Sequence, residues 1–377
     1  MSTPPSHAAP SHPAPRHVFM TADAVGGVWT YVADLAAGLA QAGVRTTLAV
    51  IGPAPSPGQL ALCAGVPGLS LVETGLTLDW MEDEPTAIAA GGRRLAELAR
   101  ASSADLVHLN SPAFASAGAF DLPVVGACHS CLATWWAAVK GGAMPDDFRW
   151  RTRVLAEGYR ACDRLIAPSA AFAEATSAGY GVDVASVRNG RSRGGRLAGG
   201  QKRAHVLTSG RLWDEGKNLA ALDAAAARMR GEVRAAGPLT GPGGAAAAVG
   251  SVRTLGALDA EAMTEALNAA QVFASLARYE PFGLGVLEAA QAGCALVLSD
   301  IPSFRELWRG AAVFVRPDDT AEAAAVMDAL LADPDEARRL GALAAERAAA
   351  CTVEAMTQAT LAAYAQALAP RLAGAAA

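Results

Sequence analysis

Aromatic residues make up only 6% of this 377-residue chain, and its formal net charge is −5. A general nucleic-acid binder needs a basic surplus and rings that stack on bases, so that class is set aside. No run approaches the roughly 18 consecutive apolar residues of a membrane-spanning helix. The opening stretch, residues 1–15, is rich in Pro, Ala, Ser and His, lacks the apolar centre of a secretory signal, and reads as a disordered tail. The expectation is a soluble, cytoplasmic protein, with docking at the inner face of a membrane left open. Cysteine is sparse as well: the six (Cys63, Cys128, Cys131, Cys162, Cys294, Cys351) lie mostly in apolar runs, which suits buried thiols in a reducing compartment. Cys128 and Cys131 form a C-x-x-C pair, but no second pair or histidine cluster follows at zinc-binding spacing. Finally, no G-x-G-x-x-G opens a helix after the first strand of either half, which argues against a nicotinamide dehydrogenase.

What is present is apolar content, 52% of residues, enough for the cores of two ordinary α/β domains. From residue 16 onward, short β-branched runs (HVFMT, TTLAVIG, LSLVET, DLVHLN, PVVGACH, RLIAPS) alternate with Ala/Leu-rich helical segments. One of these helices is expected from about Val28 to Ala42, another near Thr86 to Ala101, and a long one ending at Cys162. Strand–helix–strand repetition predicts a parallel, doubly wound sheet over residues 16–188. Residues 189–203 have linker composition, and the stretch from Val187 to Arg203 holds six basic residues and no acid. These charges read as solvated, the alternative being contact with anionic lipid or a diphosphate-linked acceptor. The alternation restarts with AHVLTSG and continues through EVRAAG, SVRTLG, QVFASLA, CALVLSD and AAVFVRP, predicting a second such sheet over residues 204–350. After Asp319 come three helices broken near Pro334 and Thr352, and residues 351–377 form a last helix and tail that can pack back across the domains. Two Rossmann-like halves place a ligand crevice between them, at the carboxyl ends of strands.

Four segments carry chemistry suited to that crevice. In YEPFGLGVLEA, Glu280 sits in a loop after a strand, while Phe282, Gly283 and Leu284 open a helix whose N–H groups suit a sugar or its phosphates. Glu288, further along, can accept hydrogen bonds from a vicinal diol; the plain alternative is solvated acids on an ordinary helix start. In HVLTSGRLWDEGKNL, Arg211 and Lys217 can hold a diphosphate, or Arg211 can pair locally with Asp214 or Glu215. Gly26 and Gly27 form a turn between the first strand and first helix, where backbone amides can approach a ligand or simply make a tight bend. His129, just past a buried strand, can reach a bound sugar or serve the structure, and Trp135 and Trp136 nearby suit either core or an acceptor floor.

Taken together and in this order, these segments resemble the retaining glycosyltransferases of family 4, over about His17 to Tyr364. The resemblance is carried by DAVGGVWTYVADLA, HSC, APS with RNG (Ser169, Asn189), GRLWDEGKN, and EPFGLGVLE followed by AGCALVLSDIPSFRE. It implies a GT-B fold, two Rossmann-like domains facing a central cleft, and a metal-independent enzyme without cofactor. On the matching positions, Arg211 and Lys217 would bind the diphosphate of a nucleotide sugar, UDP- or GDP-linked, and Glu288 its ribose. Glu280, the N–H groups of Phe282, Gly283 and Leu284, and His129 would contact the transferred sugar, with Gly27 near phosphate or acceptor. Glu280 and His129 are the catalytic candidates, and the partner is a hydroxyl acceptor in glycan, glycolipid or glycoside synthesis. The chain departs from the family where Asn189-Gly190 runs into Arg191-Ser192 instead of an apolar residue and Asp. Rival readings are a sugar-nucleotide epimerase or phosphorylase on the same architecture, and a non-catalytic nucleotide-sugar binder.

Overall fold

The computed structural model describes residues 14–375. The tail reading for residues 1–15 falls, for residues 1–13, outside the described residues. The first sheet holds seven strands: β1 (His17–Asp23), β2 (Arg45–Ile51), β3 (Leu69–Glu73), β4 (Leu106–Leu109), β5 (Val124–Ala127), β6 (Arg164–Ala167) and β7 (Ala185–Ser186). The second holds six: β8 (Arg203–Ser209), β9 (Glu232–Ala236), β10 (Arg253–Gly256), β11 (Ala270–Ser275), β12 (Ala295–Ser299) and β13 (Val313–Val315). The orders are β3-β2-β1-β4-β5-β6-β7 and β10-β9-β8-β11-β12-β13, and every pairing within them is parallel.

Both orders reverse direction beside their first strand, between β1 and β4 and between β8 and β11. A doubly wound sheet binds its ligands outside the carboxyl ends of strands at such a point, because the loops there diverge to opposite faces. The loops so placed are Ala24–Gly26 after β1, Asn110 after β4, Gly210–Arg211 after β8, and residues 276–283 after β11.

Burial on both faces explains the near-continuous apolar runs of these strands. Val18 and Met20 of β1 pack with Leu35 and Leu39 of the Gly27–Gln41 helix, whereas Phe19 packs oppositely with Leu95, Val107 and Phe114. The second sheet repeats the division: Val206, Val233 and Val272 face one core, Leu207, Phe273 and Leu296 the other.

The expected long helix before Cys162 is two helices, Leu132–Val139 and Asp146–Ala161. Gly141 and Gly142 lie between them at φ 66° and 67°, followed by Pro145, and left-handed backbone ends a right-handed helix. The helices Thr320–Ala332, Pro334–Ala348 and Val353–Ala375 close the chain, and Asp333 caps the second by accepting from the Glu336 N–H at 3.0 Å. The last helix lies on the first unit. There Gly38 leaves space for Thr357, whose Oγ1 would be 2.0 Å from an added Cβ, and the Tyr364 hydroxyl meets His108 Nδ1 at 2.7 Å.

Candidate active site

The glycine turn forms one wall. Gly26 has φ 103° and ψ −149°, backbone that side-chain-bearing residues rarely adopt, and directly precedes the Gly27–Gln41 helix. A Cβ added at Gly26 would lie 3.2 Å from Arg211 Cδ, and one at Gly27 3.3 Å from Leu284 Cδ1. Both neighbours belong to the second unit, so the turn faces Arg211 and the helix start at close range. Asp23, at the end of β1, accepts from the Val25 N–H at 2.9 Å; burial lifts its carboxyl to about 6.

Arg211 follows β8, stacks 5.6 Å from the Trp213 ring and pairs with Asp214 at 3.1 Å, the local pairing weighed from the sequence. It keeps about a third of its side-chain surface exposed, 36%, which leaves the guanidinium accessible to an anion. Asp214 also accepts from the Gly216 N–H at 2.9 Å, curling the chain so that Lys217 turns toward Glu280. Lys217 Nζ and Glu280 Oε2 form an ion pair in which both side chains are largely buried. The Gly216 carbonyl accepts from the N–H groups of Arg278 and Tyr279, at 2.9 and 3.2 Å, and so ties this turn to the loop carrying Glu280. Ser303 donates its hydroxyl to the Glu280 carbonyl.

Gly283, at φ 89°, starts the Leu284–Gln291 helix, and Phe282 is buried beneath it. Arg211, Lys217, Glu280, Phe282, Gly283, Leu284 and Gly27 thus share one cleft. Glu288 lies a turn deeper, where its Oε1 accepts from Arg191 Nε at 2.7 Å.

The first unit's wall continues at Asn110, just after the strand beside β1. Its N–H and side-chain amide bond Thr21, at 2.8 Å to Oγ1 and 2.5 Å to the carbonyl, leaving its Oδ1 to face His129 Nε2 at 2.6 Å. Since that oxygen only accepts, His129 carries its proton on Nε2 and leaves Nδ1 bare. Burial pushes the ring down to about 4, so it is neutral, and Tyr31 packs edge-on at 4.7 Å. A neutral imidazole can accept a hydrogen bond from a hydroxyl but brings no positive charge.

Direct bonds close the cleft from side to side. Trp135 Nε1 donates to Asp214 Oδ1 at 3.2 Å, Lys140 pairs with Glu215 at 2.5 Å, and the Tyr279 hydroxyl accepts from the Cys131 N–H at 3.1 Å. Ser169 Oγ donates to the Pro281 carbonyl at 2.7 Å. Sequence reading missed Asn110, Asp23, Tyr279 and Asp214 as site residues. For Asp23 and Asn110 the available signal was position, each standing at the carboxyl end of a central strand. Trp135 and Trp136 are both half-buried, and the six cysteines are free thiols.

The reading of the charges between Val187 and Arg203 as solvated needs correction. Arg188, Arg193 and Arg203 are exposed, but Arg196 is 5% exposed and donates to Gln291 Oε1 at 2.9 Å. Lys202 is bonded to the carbonyls of Leu267 and Ala292, at 3.2 and 2.7 Å, and Arg191 pairs with Asp34 at 2.8 Å as well as with Glu288. Local composition described the stretch as polar, yet partners up to 157 residues away bury half of its charge.

Two facing parallel-sheet units with the cleft lined in this way have the GT-B architecture of glycosyltransferases. Residues 25–191 match the family model described as Glycosyltransferase Family 4, and residues 246–347 match that described as Glycosyl transferases group 1. The protein is a glycosyltransferase of this architecture. Gly27 and His129 lie within the first match, Glu280 and Glu288 within the second, and Arg211 and Lys217 between them. Among solved structures, a sucrose-phosphate synthase from Thermosynechococcus elongatus is similar at TM-score 0.76 and 19% identity, over 94% of this chain and 100% of that one. Anabaena HepE in complex with UDP-glucose gives 0.69 and 17%, over 92% and 98%. An α,α-trehalose 6-phosphate synthase from Burkholderia multivorans gives 0.68 and 16%, over 96% and 100%. A comparison with curated protein sequences gives no match.

Proposed function

We propose that the protein is a retaining, metal-independent glycosyltransferase of family 4 that moves a sugar from a UDP- or GDP-linked donor to a hydroxyl of its acceptor. The observation that carries this reading is the convergence of Arg211, Lys217 and the Gly283 helix start on one side of the cleft, opposite the Gly26–Gly27 turn. Two cations and a helix N-terminus supply the charge that a departing diphosphate requires, which is what makes a metal ion dispensable. The UDP-glucose complex of Anabaena HepE makes a UDP-sugar the first donor to test.

In this mechanism the bond between the anomeric carbon and the β-phosphate oxygen breaks, and positive charge develops on the sugar beside the Glu280 carboxylate. The acceptor oxygen bonds to the same face, and its proton passes to the leaving phosphate. Glu280 orients and stabilises, Arg211 and Lys217 hold the diphosphate, Glu288 takes the ribose diol, and neutral His129 accepts from a sugar hydroxyl. The cytoplasm, with contact at the inner membrane face for a lipid-linked acceptor, is the proposed setting; among the described residues no helix is long and apolar enough to cross a membrane.

The test is a panel of UDP- and GDP-sugars with and without EDTA, read by product mass spectrometry and anomeric NMR. An α-linked donor giving an α-linked product at undiminished rate in EDTA supports the proposal. A β-linked product, loss of transfer in EDTA, or full turnover by Glu280→Gln would each defeat the corresponding part.

A further inference from the structure

Arg191 stands where two buried acids from opposite units meet. Its Nε is 2.7 Å from Glu288 Oε1 on the Leu284–Gln291 helix, and its Nη1 is 2.8 Å from Asp34 Oδ2 on the Gly27–Gln41 helix. The three side chains are 15%, 15% and 12% exposed. A guanidinium has rigid, planar donors, so contacts through separate nitrogens fix the direction of both carboxylates as a point charge would not. The backbone of Arg191 is itself pinned, its N–H donating to the Cys351 carbonyl at 3.1 Å and its carbonyl accepting from Gln291 Nε2 at 3.0 Å. Glu288 Oε2 has no hydrogen-bond partner among the described residues.

We infer that Arg191 is a positioning residue for the donor: it holds one oxygen of Glu288 so that the other is presented to the ribose diol, and it links that carboxylate to Asp34 across the cleft. The inference rests on Glu288 being the ribose-binding residue. Glu288 and Asp34 raise the pKa of Arg191 despite the opposing effect of its burial, so the guanidinium stays charged at any working pH. A cavity of about 580 Å³ lined by Asp34, Arg191, Gln291 and Glu354 adjoins the pair. Arg191, on the stretch that connects the units, thus ties Glu288 of the second unit to Asp34 of the first.

The experiment measures UDP and 2′,3′-dideoxy-UDP affinity by calorimetry, with the corresponding GDP pair in parallel, for the full-length protein and for R191M, R191K, D34N, E288Q and the R191M/E288Q double variant. A charged hydrogen bond to the diol makes the unmodified protein favour the ribose form by about tenfold or more. R191M is expected to lose most of that preference while keeping its affinity for the dideoxy form, R191K to keep part of it, and D34N to lose less than R191M. E288Q is expected to add little on top of R191M, since two residues acting through one contact are not additive. A purely structural Arg191 would instead lower the affinity for both nucleotides together. If the unmodified protein binds neither nucleotide, or does not distinguish ribose from dideoxyribose, the assignment of Glu288 fails and this inference with it. Should it distinguish them and R191M do so equally well, Glu288 stands and the role of Arg191 is overturned. Where R191M does not fold, retention of the full preference by R191K overturns it in the same way.

Discussion

Replacing Gly26 by alanine separates backbone strain from simple crowding in the glycine turn. At φ 103° and ψ −149° the residue occupies a region that is essentially glycine's own, and an alanine held there costs about 1–3 kcal/mol. The new methyl would also stand 3.2 Å from Arg211 Cδ, a contact that a flexible side chain relieves by moving a few tenths of an ångström. Gly27 provides the control. Its φ is not positive, and its added Cβ would meet only Leu284 Cδ1 at 3.3 Å, so Gly27→Ala carries crowding without strain. The expected outcome in urea unfolding is a loss of about 1–3 kcal/mol for Gly26→Ala and under about 0.5 kcal/mol for Gly27→Ala. Donor turnover should fall in both, and further in Gly26→Ala, because Arg211 is displaced from the phosphate position. Equal unfolding midpoints for the two variants would refute the strain argument. Full turnover by both would refute the placement of the turn against the donor.

Removing one partner of the Lys217–Glu280 pair leaves the other charge largely buried, so Lys217→Met should cost about 1–3 kcal/mol in denaturant unfolding, while Glu280→Gln, which keeps a hydrogen bond, costs about 1 kcal/mol or less. Equal losses would show that the pair is not desolvated. Tyr279→Phe takes away the hydroxyl that joins Cys131 and Thr134 to the second unit, and should speed proteolysis at the cleft without loss of donor binding; an unchanged digestion rate counts against that hydroxyl as a clasp. Stability should also fall on acidification below pH 6.5. Burial depresses His108 to about 3, so below its ordinary value of 6.5 the unfolded chain takes up a proton that the folded one refuses. At pH 4.5 this amounts to roughly 2–3 kcal/mol from His108, checked by urea titration of the unmodified protein and His108→Gln at pH 7 and 4.5. An equal acid loss in both proteins would refute the assignment.

Both parallel sheets were legible because their central strands carry apolar runs set off from Ala/Leu-rich helices. That pattern found β1 and β8 and with them the glycine turn and the segment of Arg211. It missed β7, whose two residues are too few for any periodicity, and the break at residues 140–145, where a helical pattern continues on either side of two glycines. Motif spacing drew attention to Glu280, Glu288, Arg211 and Lys217, since each stands just after a strand or on the next helix. It was blind to how they are partnered. Asp34 and Arg191 are 157 residues apart, and only the folded chain brings them together. The same holds for the Asn110 that fixes the tautomer of His129.

The chain passes between its two units twice, once through the stretch after Val187 and once where the Pro334–Ala348 helix gives way to the Val353–Ala375 helix. These passages touch: Gly190 lies under the Thr352 carbonyl, where a Cβ would come within 1.9 Å, and Arg191 donates to the Cys351 carbonyl. Two strands of a tether lying side by side bend readily but resist being wrung. Together the two crossings form a single seam, so any rotation of one unit against the other that spares both must turn about that line.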